Sequence, residues 1–242
     1  MRNLTSICLA LAMLAMALGA TVGCAPESTK KTNAPAPALA PAKAPPGNLA
    51  ASELILPAAS DTATAVTPKH FVMNWMVLGP FTFKATDFGG DPQQGAATKA
   101  FMPNEADLDG TQAAPTGTAW KAMTFAGAAD MGQADLDLLY GGIDHAAAYA
   151  VAWLDCPQEL TNAKLYVGSD DFIIVWINGK RVHFFGAERR SSVRDQDIVT
   201  GITLKKGLNR VVVKCVDVVF DWNFYFRLTD SKDRPISVKP KS

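Results

Sequence analysis

The sequence is poor in reactive side chains. Its 242 residues include three histidines and four cysteines. His70, His145 and His183 are scattered, and none has a partner at metal-ligand spacing. There is no G-x-S-x-G elbow, no Gly-rich phosphate loop and no H-E-x-x-H pair. These absences remove the usual motifs of serine hydrolases, nucleotide-binding enzymes and zinc proteases, and the chain reads as non-catalytic. Excess charge is missing too. Lys and Arg together number 23, as do Asp and Glu, for a formal net charge of +0. Without a basic surplus there is no electrostatic footprint for nucleic acid. No apolar run reaches the ~20 residues of a membrane-spanning helix. Nor is there a long amphipathic helix or an internal repeat.

What is present falls into three parts. Residues 1–23 read as a signal peptide, with the apolar run "ICLALAMLAMALGA" ending in small residues. The run stops at "TVGC", which resembles a bacterial lipobox. On that reading Cys24 is lipidated, becomes the new N-terminus and anchors the chain in a membrane. Thr21 stands where such motifs usually carry Leu, and ordinary cleavage nearby is the alternative. Either way the expectation is an exported protein, on the outer surface or in the periplasm. Residues 24–68 contain "NAPAPALAPAKAPPGNLAAS". Proline removes donors and fixes φ, and large apolar groups are too few to offset ordering. The stretch reads as a disordered Ala/Pro-rich spacer.

From 69 to 238 the composition changes, and about 170 residues suffice for one domain with its own core. "AAYAVAWLDC", "AKLYVGS", "FIIVWI", "KRVHFF", "IVTGITL", "NRVVVKCVDV" and "WNFYFRLTD" follow one another closely, all rich in β-branched and aromatic residues. Asn178-Gly179 between two such runs predicts a tight hairpin. The expected fold is all-β, an antiparallel two-sheet β-sandwich of jelly-roll type. Residues 84–118 have no sustained period and read as a long surface excursion. Cys156 and Cys215 are left in this domain, either paired in a disulfide or buried as free thiols.

The run "GSDDFIIVWINGKRV" (168–182) resembles the Asp-Asp…Asn-Gly-Lys hallmark of the protective-antigen-type β-sandwich, found in anthrax toxin, yeast flocculins and many bacterial glycosidases. "VWINGKRV" with "LKKGLNRVVVKC" and "WNFYFRLTD" is also similar to the galactose-binding-like jelly roll. Exported proteins of planctomycete-type bacteria carry a similar module opening with W-x-V-L-G-P-F, matched here from Trp75 to Phe81. The hallmark has Gly after the second Asp, where this chain has Phe172.

In sugar-binding members of the family the matching Asp-Asp pair holds calcium, and the ion's open positions take sugar hydroxyls. Carried over, that role falls on Asp170 and Asp171. Calcium takes six to eight oxygens, so Asp221 and Asn223 are the expected further ligands, with Trp222 as a surface on which a sugar stacks. The bland alternative is that the two carboxylates only shape a turn by accepting backbone N–H groups. Adjacent Asp170 and Asp171 cannot straddle a sugar ring as a glycosidase pair must. A second acidic stretch, "NEADLDG" (104–110), has the spacing of a calcium turn but Thr116 where an EF-hand loop wants Glu, and it reads as a solvated turn. Phe220, Trp222, Phe224 and Phe226 alternate, as core residues on one face of a strand do. The leading functional expectation is a surface-tethered, non-catalytic carbohydrate-binding module with calcium as its only candidate cofactor. The alternatives are a structural or protein-interaction component of the cell envelope, and an accessory domain to a separate carbohydrate-active enzyme.

Overall fold

A computed structural model describes residues 44–47, 49–58, 65–88, 92–125 and 131–241. The expected signal peptide, Cys24 and the first part of the spacer lie outside the described residues. The described chain is an all-β sandwich of two sheets. The larger sheet holds β1 (Ser52–Ile55), β2 (Asn74–Thr82), β3 (Ala119–Thr124), β5 (Ala146–Cys156), β7 (Phe172–Ile177), β8 (Lys180–Phe185), β10 (Gly207–Asp217) and β12 (Ser237–Pro240). The smaller holds β4 (Gln133–Asp135), β6 (Leu160–Asp170), β9 (Asp197–Leu204) and β11 (Asn223–Thr229). In the larger sheet the order is β12-β1-β5-β10-β7-β8, with β2 sharing the edge of β5 and β3 outside β2; in the smaller it is β4-β11-β6-β9. Strands pair antiparallel, except for the short parallel contact of β1 with β5.

Side-chain size explains how the sheets close. On β5 the inner face presents Ala146, Ala148, Ala150 and Ala152, all buried. Small residues there leave room for Trp222, Phe224 and Phe226, which share the same core. Trp75 on β2 meets Phe224 and Phe226 edge-on, with ring centroids 5.2 and 5.7 Å away. Pairing small with large across an interface fills it without voids. The outer face of β5 carries Tyr149, Val151 and Trp153, and it too is buried. Residues 96–108 of the 84–118 excursion lie over it, contributing Met102 and Leu108 to a second core. A buried ion pair fastens it: Lys214 Nζ lies 3.0 Å from Glu105, and the Tyr149 hydroxyl donates to the same carboxylate.

The Asn178-Gly179 hairpin is present, with φ of 51° and 83° at the two residues, as such a turn requires. Two sequence expectations need correction, on the domain boundary and on Phe220, and between them one open alternative, for the two cysteines, is decided. The folded unit begins before residue 69: β1 lies inside the expected spacer, pairing with β12 and β5, and Leu54 is fully buried. Cys156 and Cys215 are not paired. Both are buried free thiols; Cys156 on β5 lies opposite Gly207 on β10, eight residues before Cys215 along the same strand. At ~3.4 Å per residue that is far beyond the span of a disulfide. Phe220 is not in the aromatic row, because the backbone turns there: Phe220 has φ of 80° and is 84% exposed, two residues before the buried Trp222 and three before β11 begins.

Candidate cation and ligand site

The topology brings two crossovers together at one end of the sandwich. The chain leaves β6 in the smaller sheet, passes Asp170 and Asp171, and enters β7 in the larger. Further on it leaves β10 in the larger sheet at Asp217 and enters β11 in the smaller at Asn223. β6 pairs with β11 and β7 with β10, so the two crossovers must lie side by side. The register places Asn223 opposite Asp170 and Val216 opposite Phe172.

Asp170, Asp171 and Asp217 meet there. Each offers a carboxylate oxygen, and these oxygens all lie within 4.8 Å of one another. All three residues are buried. The peptide bond between Asp170 and Asp171 is cis. Asp171 has structural partners: its Oδ1 accepts from the Arg190 backbone N–H at 3.1 Å and its Oδ2 from that of Val218 at 2.9 Å. Asp217 is fully buried, and neither of its side-chain oxygens has a hydrogen-bond partner.

Electrostatics follows from this crowding. Burial, then the adjacent Asp171 charge, pushes Asp170 up to about 7. Burial, then Asp171, pushes Asp217 up to about 8. Burial also raises Asp171, against the pull of its backbone donors. Three such carboxylates cannot all ionise cheaply without a compensating charge. The donor set is oxygen only, which suits a hard cation such as calcium rather than zinc or copper. Asp217, with two buried and unpartnered oxygens, fits that need.

An open cavity of about 510 Å³ adjoins the corner, lined by Asp170, Asp171, Arg189, Arg190, Ser191, Val219, Phe220 and Asp221. Asp221 thus stands at the cavity beside the aspartate pair. Asn223 is buried next to Asp170, and its Oδ1 accepts from the Ser192 hydroxyl. Trp222 does not face the cavity. It is fully buried and stacked on Tyr140, with ring centroids 5.4 Å apart, so it offers no face to a sugar. The exposed aromatic of this loop is Phe220.

The cavity's outer wall is the 186–196 loop between β8 and β9. Arg190 fixes it. Its guanidinium donates to both oxygens of Asp197, at 3.0 and 2.6 Å, and to Ser169 Oγ at 2.9 Å. It also lies 3.5 Å from the Phe185 ring centroid. His183 Nε2 reaches the same Asp197 carboxylate at 3.0 Å.

The "NEADLDG" stretch is a structural turn. Glu105 takes Lys214 and Tyr149, Asp107 pairs with Arg210 at 2.8 Å, and Asp109 accepts from Thr111. Against known proteins, the chain matches no family model and no curated sequence.

Proposed function

We propose that this protein is an exported, surface-tethered, non-catalytic binding module for carbohydrate, with calcium held at Asp170, Asp171 and Asp217. The observation that carries the reading is Asp217, a fully buried carboxylate with both oxygens unpartnered and aimed at two others. Calcium bound there would supply open coordination positions to a pair of sugar hydroxyls. Around that position the chain's own groups have separate tasks. Asp171 keeps its orientation through two backbone N–H groups. Asp221 and Arg189 line the cavity, with acceptor and donor groups for further hydroxyls. Phe220 offers an exposed ring on which the C–H face of a pyranose packs. The export signal and the Ala/Pro spacer favour display away from a membrane surface.

The second reading is an envelope component with no small ligand, in which the aspartates only shape the crossover. The two backbone donors on Asp171 favour it, but they leave Asp217 unexplained. Thermal melting in EDTA and in millimolar calcium separates the two. A native-state ligand at a hundredfold excess over its Kd adds about 2.7 kcal/mol, which for a domain of this size is roughly 5–10 °C. Asp217→Asn should abolish the rise and leave the EDTA-state fold intact. Superimposable wild-type curves would leave the structural reading standing. A glycan array probed with and without calcium then tests the ligand class, and Phe220→Ala should weaken any calcium-dependent signal.

A further inference from the structure

The 186–196 loop touches the acidic corner from outside, and of its several attachments, among them the Asp195–Arg227 ion pair, the ones made by Arg190 reach the corner itself. The Arg190 backbone N–H donates to Asp171 Oδ1 at 3.1 Å, while the guanidinium of the same residue points the other way, into Asp197, Ser169 and the Phe185 ring. Two residues on, the Ser192 hydroxyl donates to Asn223, the cross-strand neighbour of Asp170. The loop rests directly on β6. A side chain on Gly168 would overlap the Val193 carbonyl oxygen, so only glycine permits this approach. Gln196 completes the strap, accepting from the Ser169 N–H at 3.2 Å and donating to the Ser191 carbonyl at 3.0 Å.

We infer that Arg190 is a positioning residue for the cation site: by pinning the 186–196 loop onto β6, it sets the orientation of Asp170 and Asp171 without touching the ion. The inference rests on the calcium reading above. It makes a prediction opposite in sign to simple electrostatics. A positive charge beside a cation site repels the ion, so by Coulomb's law alone its removal should tighten calcium binding. Loss of positioning should weaken it, by the ~10–100-fold typical when an outer partner of a metal ligand is removed. Lysine sharpens the contrast. It keeps the charge but loses the planar fork that holds Asp197 and Ser169 together.

The experiment is calorimetric titration of the full chain with calcium chloride, for wild type, Arg190→Gln, Arg190→Lys and Gly168→Ala, with melting in EDTA to confirm folding. Gly168→Ala displaces the loop from beneath and changes no charge. The expected result is calcium binding weakened ~10-fold or more in all three variants. If Arg190→Gln does not fold, the lysine and Gly168 variants decide. A merely structural arginine would lower the EDTA melting temperature and leave the calcium affinity of the folded protein unchanged. Unchanged or tighter binding in the Arg190 variants that fold, or with Gly168→Ala, overturns the inference and leaves the cation site in place. No calcium binding by the wild type removes both.

Discussion

A buried carboxylate with no hydrogen-bond donor is costly while ionised, and at Asp217 that cost has a measurable sign. Without metal, the folded chain holds protons on Asp217 up to about 8 and on Asp170 up to about 7, while the unfolded chain releases them near the ordinary carboxylate value. Between roughly pH 4 and pH 8 the folded state therefore binds more protons than the unfolded state, and stability falls as pH rises through that window. His70 and His183 work the other way. Burial lowers both, so they reduce stability as pH falls below about 6.5. The corner is therefore best read above that value. In EDTA between pH 6.5 and 9, the wild-type melting temperature should drop relative to Asp217→Asn. Calcium should reverse the slope, because the ion competes with the protons. Parallel pH curves for the two proteins in EDTA would mean that Asp217 carries no proton in the folded state. At Phe220 and Trp222 the residue scale sets different roles within one loop. The backbone at Phe220 is left-handed and turns its ring to solvent, whereas Trp222 is fully buried against Tyr140.

Among the elements, β10 and β11 carry both the core and the site. Phe224 on β11 is fully buried against the edge of Trp75. Phe224→Ala should cost about 3–5 kcal/mol in urea unfolding, and a near-neutral result would mean that the two sheets are not held by this row. The strands were legible because β-branched and aromatic runs are interrupted by turn residues, and Asn178-Gly179 marked its hairpin by its need for positive φ. The Asp170-Asp171 corner was legible as two adjacent carboxylates between two strand-like runs. Asp217 was not. It ends the valine-rich run of β10, and nothing local shows that β7 and β6 will bring it to Asp170. That meeting depends on long-range register, which a period-two pattern does not contain. The alternation that correctly placed Trp222, Phe224 and Phe226 in the core failed at Phe220, where the left-handed backbone turns the ring to solvent. The wall made by Arg190 was equally hidden, since its partners Ser169 and Asp197 lie on two different strands.

For the molecule as a whole, the boundary that matters is where the Ala/Pro-rich stretch ends and the fold begins. Composition places the boundary near residue 69, because alanine and proline dominate before it. The four-residue strand "SELI" of β1 escapes that reading, as it is too short for a pattern and its partners are ~100 and ~185 residues away along the chain. It nevertheless joins the C-terminal strand β12 to β5, pairing Leu54 with Val238 and Ser52 with Leu154. Leu54 lies in the core between the sheets, and Leu49 and Ala51 lie in the outer core. A chain starting at residue 69 loses these side chains and leaves β12 without its strand partner. Full burial of Leu54 and Leu49 alone is worth ~1.5–3 kcal/mol each, and the unpaired edges add an aggregation hazard. A chain starting at residue 44 should therefore unfold in urea with the stability of the longer protein, and one starting at residue 69 should be at least about 3 kcal/mol weaker and prone to associate. Equal stability for the two would return residues 44–68 to the Ala/Pro-rich spacer. If the loss is seen, the folded domain begins no later than β1, about 17 residues earlier than composition implies, and the strand that closes the sheet belongs to the domain rather than to the Ala/Pro-rich stretch.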